Sequence, residues 1–166
     1  MATGEDLERF RAFAGMPAEH LDRLAAIAES VSYPAGHRIF REGQPSTGCW
    51  LLAAGQVALE TTVPGRGAVV IQTLGAGDLL GWSWLRPPYR WQFGARTQAP
   101  TSGLMLDAAR LRALADADPQ LGYLLVQRIC GVLVDRLHAT RARLLDLYRH
   151  PTETGPARPP VSGQRP

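Results

Sequence analysis

The residues best equipped for chemistry gather between positions 81 and 97. Gly81-Trp82-Ser83-Trp84, Arg90-Trp91 and Arg96-Thr97 bring indoles, hydroxyls and guanidinium groups together around Pro87-Pro88-Tyr89. Ser83 follows Gly81-Trp82, but the full Gly-x-Ser-x-Gly turn that exposes a nucleophilic serine is missing, and no histidine stands near it as a base. His20, His37, His138 and His150 are scattered, and only His37 falls in a β-type segment, so the converging ligands of a metal-holding barrel are not built. Neither a P-loop nor a dinucleotide fingerprint occurs. No enzymatic activity, metal or cofactor is expected. The tryptophan-rich segment is the candidate binding element.

The elements that carry it read as one domain. A chain of 166 residues, 45% hydrophobic and 20% charged, has material for one ordinary core and hardly for two. Leu21, Leu24, Ala25, Ile27 and Ala28 recur at helical spacing between Pro17 and Ser30, which predicts a short amphipathic helix. Short β-type runs follow over 31–33, 37–41, 49–53, 56–62 and 68–74, separated by glycine-containing turns such as Glu42-Gly43-Gln44-Pro45 and Gly75-Ala76-Gly77-Asp78. The span 79–96 is neither regular strand nor regular helix. A last strand is expected over 103–106, with Asp107 capping a helix from Ala108 to Ala115 and Asp118-Pro119 opening a longer one.

That longer helix, from about Pro119 to Tyr148, carries two apolar stripes. Tyr123, Val126, Cys130, Leu133, Leu137, Thr140, Leu144 and Leu147 alternate at three and four residues, the pattern of a coiled-coil seam. A homodimer interface made by Val126, Cys130, Leu133, Leu137, Thr140, Leu144 and Leu147 is expected; the alternative is a monomer whose helix folds back on the β body. Leu125, Ile129 and Val132 form the second stripe, which would pack on that body. From His150 onward Pro-Thr-Glu-Thr-Gly-Pro reads as a disordered tail, so residues 1–16 are taken as an N-terminal extension, 17–149 as the domain and 150–166 as the tail. The 18 basic residues barely outnumber the 15 acidic ones, and those of the final helix alternate with leucines and aspartates, so direct DNA binding is not expected. With no secretion signal and no run of about 20 apolar residues, a cytoplasmic location away from membranes follows, with Cys49 and Cys130 as reduced thiols.

Particular motifs carry a family likeness. Ile39-Phe40-Arg41-Glu42-Gly43, then Trp50 through Leu59 with its Gly55 hairpin, then Leu74-Gly75-Ala76-Gly77-Asp78-Leu79-Leu80-Gly81, follow in an order that resembles the cyclic-nucleotide-binding domain of the catabolite-activator (Crp-Fnr) family over roughly residues 17–148. The resemblance implies a mainly β fold with flanking helices. It would be a double-stranded β-helix, a jelly-roll-like β-roll, with an N-terminal helix and a long C-terminal dimerisation helix. It also implies a non-enzymatic sensor whose ligand is a cyclic nucleotide such as cyclic AMP, held at a short helix start and by an arginine, with a glutamate on the ribose. On this sequence that assigns Gly81, Trp82, Ser83, Trp84, Arg90, Arg96, Thr97 and, from the dimer helix, Thr140 to the ligand. The pattern is broken where Trp82 stands in place of the glutamate, and Arg90 lies closer to Gly81 than the family arginine does. Trp82 and Trp84 then read either as a rebuilt pocket stacking on another ligand or as a plug. Arg90 reads as a phosphate clamp or a surface arginine stacked on Tyr89 and Trp91, and Arg96 alternatively as the partner of an acid on the final helix. Thr140 alternatively sets the register of the seam. A family helix-turn-helix finds no counterpart in the tail, so output is expected through a protein partner.

Overall fold

The computed structural model describes residues 1–149. Among them helices α1 (Gly4–Glu8) and α2 (Ala18–Ala25) precede eight strands, β1 (Ala28–Tyr33), β2 (Arg38–Phe40), β3 (Gly48–Ala54), β4 (Val57–Val63), β5 (Gly67–Leu74), β6 (Leu79–Leu80), β7 (Gly94–Thr97) and β8 (Thr101–Asp107). Helices α3 (Ala108–Ala117) and α4 (Pro119–Arg149) close the series. The strands make two antiparallel sheets ordered β1-β8-β3-β6 and β2-β7-β4-β5, the expected β-roll.

Strand β3 shows why the sequence folds this way. Its first five residues, Gly48 to Leu52, are all buried, because side chains that alternate along a strand reach two different cores. Cys49 and Leu51 point to a helix-side core with Leu24, Leu106, Leu111, Leu121 and Leu125. Trp50 and Leu52 point into the roll with Phe40, Val57, Leu59 and Leu80. Neighbouring β6 repeats the division in two residues, Leu79 outward and Leu80 inward.

The helix ends are chemically marked. Asp107 accepts a hydrogen bond from the Arg110 N–H at 2.9 Å and starts α3. Asp118 accepts from the N–H groups of Gln120 and Leu121, both at 3.1 Å, and starts α4. The N–H of Leu121 foremost, with the Arg23 guanidinium, holds the Asp118 carboxyl below the usual carboxylate range.

Two expectations shift. The helix predicted across Pro17–Ser30 stops at Ala25, because Ala28 is already paired with Leu106 in the sheet. Residues 1–16, set apart by sequence as an extension, pack into the helix-side core through Leu7, Phe10, Phe13 and Met16. A capping box nucleates their first turn: Thr3 Oγ1 accepts from the Asp6 N–H at 3.2 Å while Asp6 accepts from the Thr3 N–H at 3.0 Å.

Met1–Leu133 form one compact unit. Within it Leu125 and Ile129 are buried and Val132 is half-buried, the packing expected of the second stripe. From Val134 the chain is a separate unit, described to Arg149 as continuous helix with Val134, Leu137, Leu144, Leu145 and Tyr148 exposed. The predicted tail, 150–166, lies outside the described residues.

Candidate functional site

The candidate residues between 81 and 97 do not converge on one cavity. Gly81 opens the segment at φ 88°, a conformation that side chains strain to adopt. A Cβ there would stand 3.0 Å from the Trp91 ring and 3.1 Å from the Gly48 carbonyl oxygen, so glycine is what lets Trp91 lie against the chain. Trp82 is half-buried between the two cores, its ring edge-on to Phe93 at 6.4 Å. Ser83 begins a 3-10 turn over Ser83–Leu85 and is buried; its Oγ makes no hydrogen bond among the described residues. Trp84, 1% exposed, belongs to the helix-side core rather than to the roll interior. Burial there pushes the Cys49 thiol up to about 12, against a smaller lowering influence from Trp84.

Arg90 is exposed and donates to the Gly43 carbonyl at 2.8 Å, beside a bridge between Pro45 and Arg90. The expected stack on its neighbours is replaced. Trp91 is buried, and the ring of Tyr89 takes Arg112, whose guanidinium carbon lies 4.6 Å from the ring centre. Tyr89 itself sits at φ 54°, a strained position for a bulky residue. It is tied down by its N–H to the Arg86 carbonyl at 3.0 Å and by the Ser46 N–H on its own carbonyl at 2.7 Å.

Arg96 pairs with Glu60 of β4 at 3.6 Å, not with an acid of the final helix, because strand register sets β7 against β4. Arg38 joins the same carboxylate at 3.2 Å. Thr97 is buried and its hydroxyl spans a turn, donating toward the Pro34 carbonyl at 2.7 Å and accepting from the His37 N–H at 2.8 Å. Thr140 Oγ1 donates back to the Arg136 carbonyl at 2.9 Å within its own helix.

The residue that occupies the roll interior is one the site assignment passed over. Trp91, 2% exposed, stacks on Phe40 with ring centres 3.8 Å apart and planes 11° from parallel. Trp50 lies 5.9 Å from Trp91, and its indole N–H donates to the Tyr33 hydroxyl at 3.1 Å. Phe93, Ala95, Leu80, Val57 and Leu59 complete the filling. The signal was in the sequence: Trp91, Phe93, Ala95 and Thr97 stand at alternate positions and share the buried side.

Of the predicted seam, Val126, Cys130, Leu137, Thr140 and Leu144 are exposed and Leu133 is half-buried. The Leu147 side chain lies outside what is described. Among the described residues no group of three or more His, Cys, Asp or Glu side chains could hold a metal ion, and no helix is long and apolar enough to cross a membrane.

Comparison with known proteins fits this architecture. The family model described as cyclic nucleotide-binding domain matches residues 30–118. A Geobacter metallireducens GS-15 structure described as a cyclic nucleotide-binding protein is 30% identical with a TM-score of 0.76, covering 83% of this chain and 100% of that one. The Thermus thermophilus catabolite activator protein is 26% identical with a TM-score of 0.65, covering 82% and 62%. A CRP-like cAMP-activated global transcriptional regulator of Mycobacterium tuberculosis is 25% identical over 143 residues, 86% of this chain. The chain spans 62% of the length of the curated relatives it matches. With more than half of its residues matched by the family model, and a structural likeness at 30% identity over 83% of its length, the chain belongs to the cyclic nucleotide-binding domain family.

Proposed function

We propose that this domain is a homodimeric regulatory module that keeps the cyclic nucleotide-binding fold, fills the roll with its own side chains, and acts by binding a partner protein. The stack of Trp91 on Phe40 is the observation that carries this reading. A cyclic phosphate needs donors turned toward it, and a ribose needs an acceptor. Arg90 is exposed and donates to a backbone carbonyl, Arg96 pairs with Glu60, and Thr97 spans a turn, while rings fill the interior. Entry of a nucleotide would require Trp91 to leave a core in which it is 2% exposed. The dimer rests on the stripe of α4, where Leu137 is 66% exposed in the single chain. A leucine buried there gains about 1.5–3 kcal/mol, so a few suffice for association.

Thermal unfolding with and without cyclic AMP and cyclic GMP tests the filled roll. A nucleotide at one hundred times its dissociation constant would add about 2.7 kcal/mol of stability. No shift is expected. A shift that Arg90→Ala abolishes would overturn the reading and return Gly81, Trp82 and Arg90 to a working pocket. For the dimer, Leu137→Asp is expected to halve the mass seen by light scattering, and an unchanged mass would remove α4 from the interface.

A further inference from the structure

Open space lies on the opposite face of the sheet from the filled roll. Strand pairing sets Ser30 against Leu104 and Ser32 against Ser102, continuing the face that carries Leu106 and Leu51 into the helix-side core. At this end α1 does not close over the strands. A groove of about 620 Å³ remains, with Phe10 and Leu104 among its lining, within the size range that holds small organic ligands.

Its polar groups are few and unevenly engaged. The Ser30 and Ser102 hydroxyls line the groove and make no hydrogen bond among the described residues. Asp6 also lines it, but its carboxylate is committed to Thr3, accepting from the N–H at 3.0 Å and from the hydroxyl at 2.9 Å. Arg9, 78% exposed at the side chain, lies 3.9 Å from Asp6 as a distant ion pair and keeps donors free toward the groove. An apolar floor with one available guanidinium and two unspent hydroxyls matches a ligand with a hydrocarbon body and a single anionic head.

We propose that this groove binds a small amphipathic carboxylic acid, its hydrocarbon part against Phe10 and Leu104 and its carboxylate at Arg9, Ser30 and Ser102. The site is separate from the roll interior, so it stands or falls independently of nucleotide binding.

Decanoate and decanol, titrated calorimetrically into the full chain below their micelle concentrations, distinguish the parts of the proposal. Saturable binding of decanoate is expected, with decanol at least tenfold weaker. Arg9→Gln is expected to weaken decanoate about tenfold and leave decanol unchanged. Ser30→Trp places an indole in the groove from an exposed strand position, where an aromatic residue is well tolerated. It should abolish binding of both ligands while the unfolding midpoint stays within a few degrees of the parent protein. Absence of saturable decanoate binding, or binding that survives Ser30→Trp, would overturn the groove as a site. Equal loss of both ligands in Arg9→Gln would overturn the carboxylate assignment.

Discussion

The two faces of the β1-β8-β3-β6 sheet are packed by different means. On the helix side, Leu24, Leu51, Leu106, Leu111, Leu121 and Leu125 supply aliphatic area from helices and strands distant in sequence. On the roll side, Phe40, Trp50, Trp91 and Phe93 interlock as rings, with Phe40 in stacked or tilted contact with each of the other three. Truncation on either face leaves a cavity that neighbours refill only in part, and a lost indole leaves a larger one than a lost isobutyl group. The first face fastens the helices to the sheet. The second fills the interior of the roll.

That contrast is broken most directly by removing one large side chain from each face. Trp91→Ala is expected to cost about 3–5 kcal/mol in chemical denaturation and Leu111→Ala about 2–5 kcal/mol. The sheet separates the two sites, so the double variant should show the sum to within about 0.5 kcal/mol. A larger coupling would mean that the two cores are one. Trp91→Ala should also gain stability on adding indole, through refilling of the void; Leu111→Ala should not.

Thiol chemistry sharpens the same division between packed face and exposed helix. Cys49 is buried, with its thiol pushed up to about 12, so almost no thiolate is available to react. Cys130 is exposed on α4 in the single chain. An alkylating reagent is expected to leave Cys49 unmodified until unfolding. Cys130 should be labelled slowly in the parent protein and faster in Leu137→Asp, where the seam is open. Equal rates at Cys130 in the two proteins would argue against its burial between copies.

The smallest effect concerns the junction of α3 and α4. Asp118 has its carboxyl lowered in the folded state by the Leu121 N–H and by Arg23. Its contribution is therefore present above the ordinary carboxylate range and lost as pH falls through the lowered folded value. Asp118→Asn should lower the unfolding temperature modestly at neutral pH and flatten its acid limb, so that variant and parent converge at low pH. An acid limb identical to the parent's would show that other carboxylates set it.

Much of this was legible from residue order alone. Short glycine-punctuated runs specified the strands, Asp107 and Asp118 marked helix starts, and the three-four spacing on α4 separated Leu125 and Ile129 from the exposed stripe. These are signals read within a few residues, where backbone periodicity and capping act. Which face each aromatic serves was decided by tertiary structure. Trp82, Trp84 and Trp91 lie close in sequence, yet they end at the border of both cores, in the helix-side core and in the roll interior respectively. Arg96 found Glu60 through strand register, and the first sixteen residues found a core that lies mostly beyond them in the chain. Such choices depend on which distant surfaces meet and how fully they fill the space between them, and local pattern carries no measure of that volume.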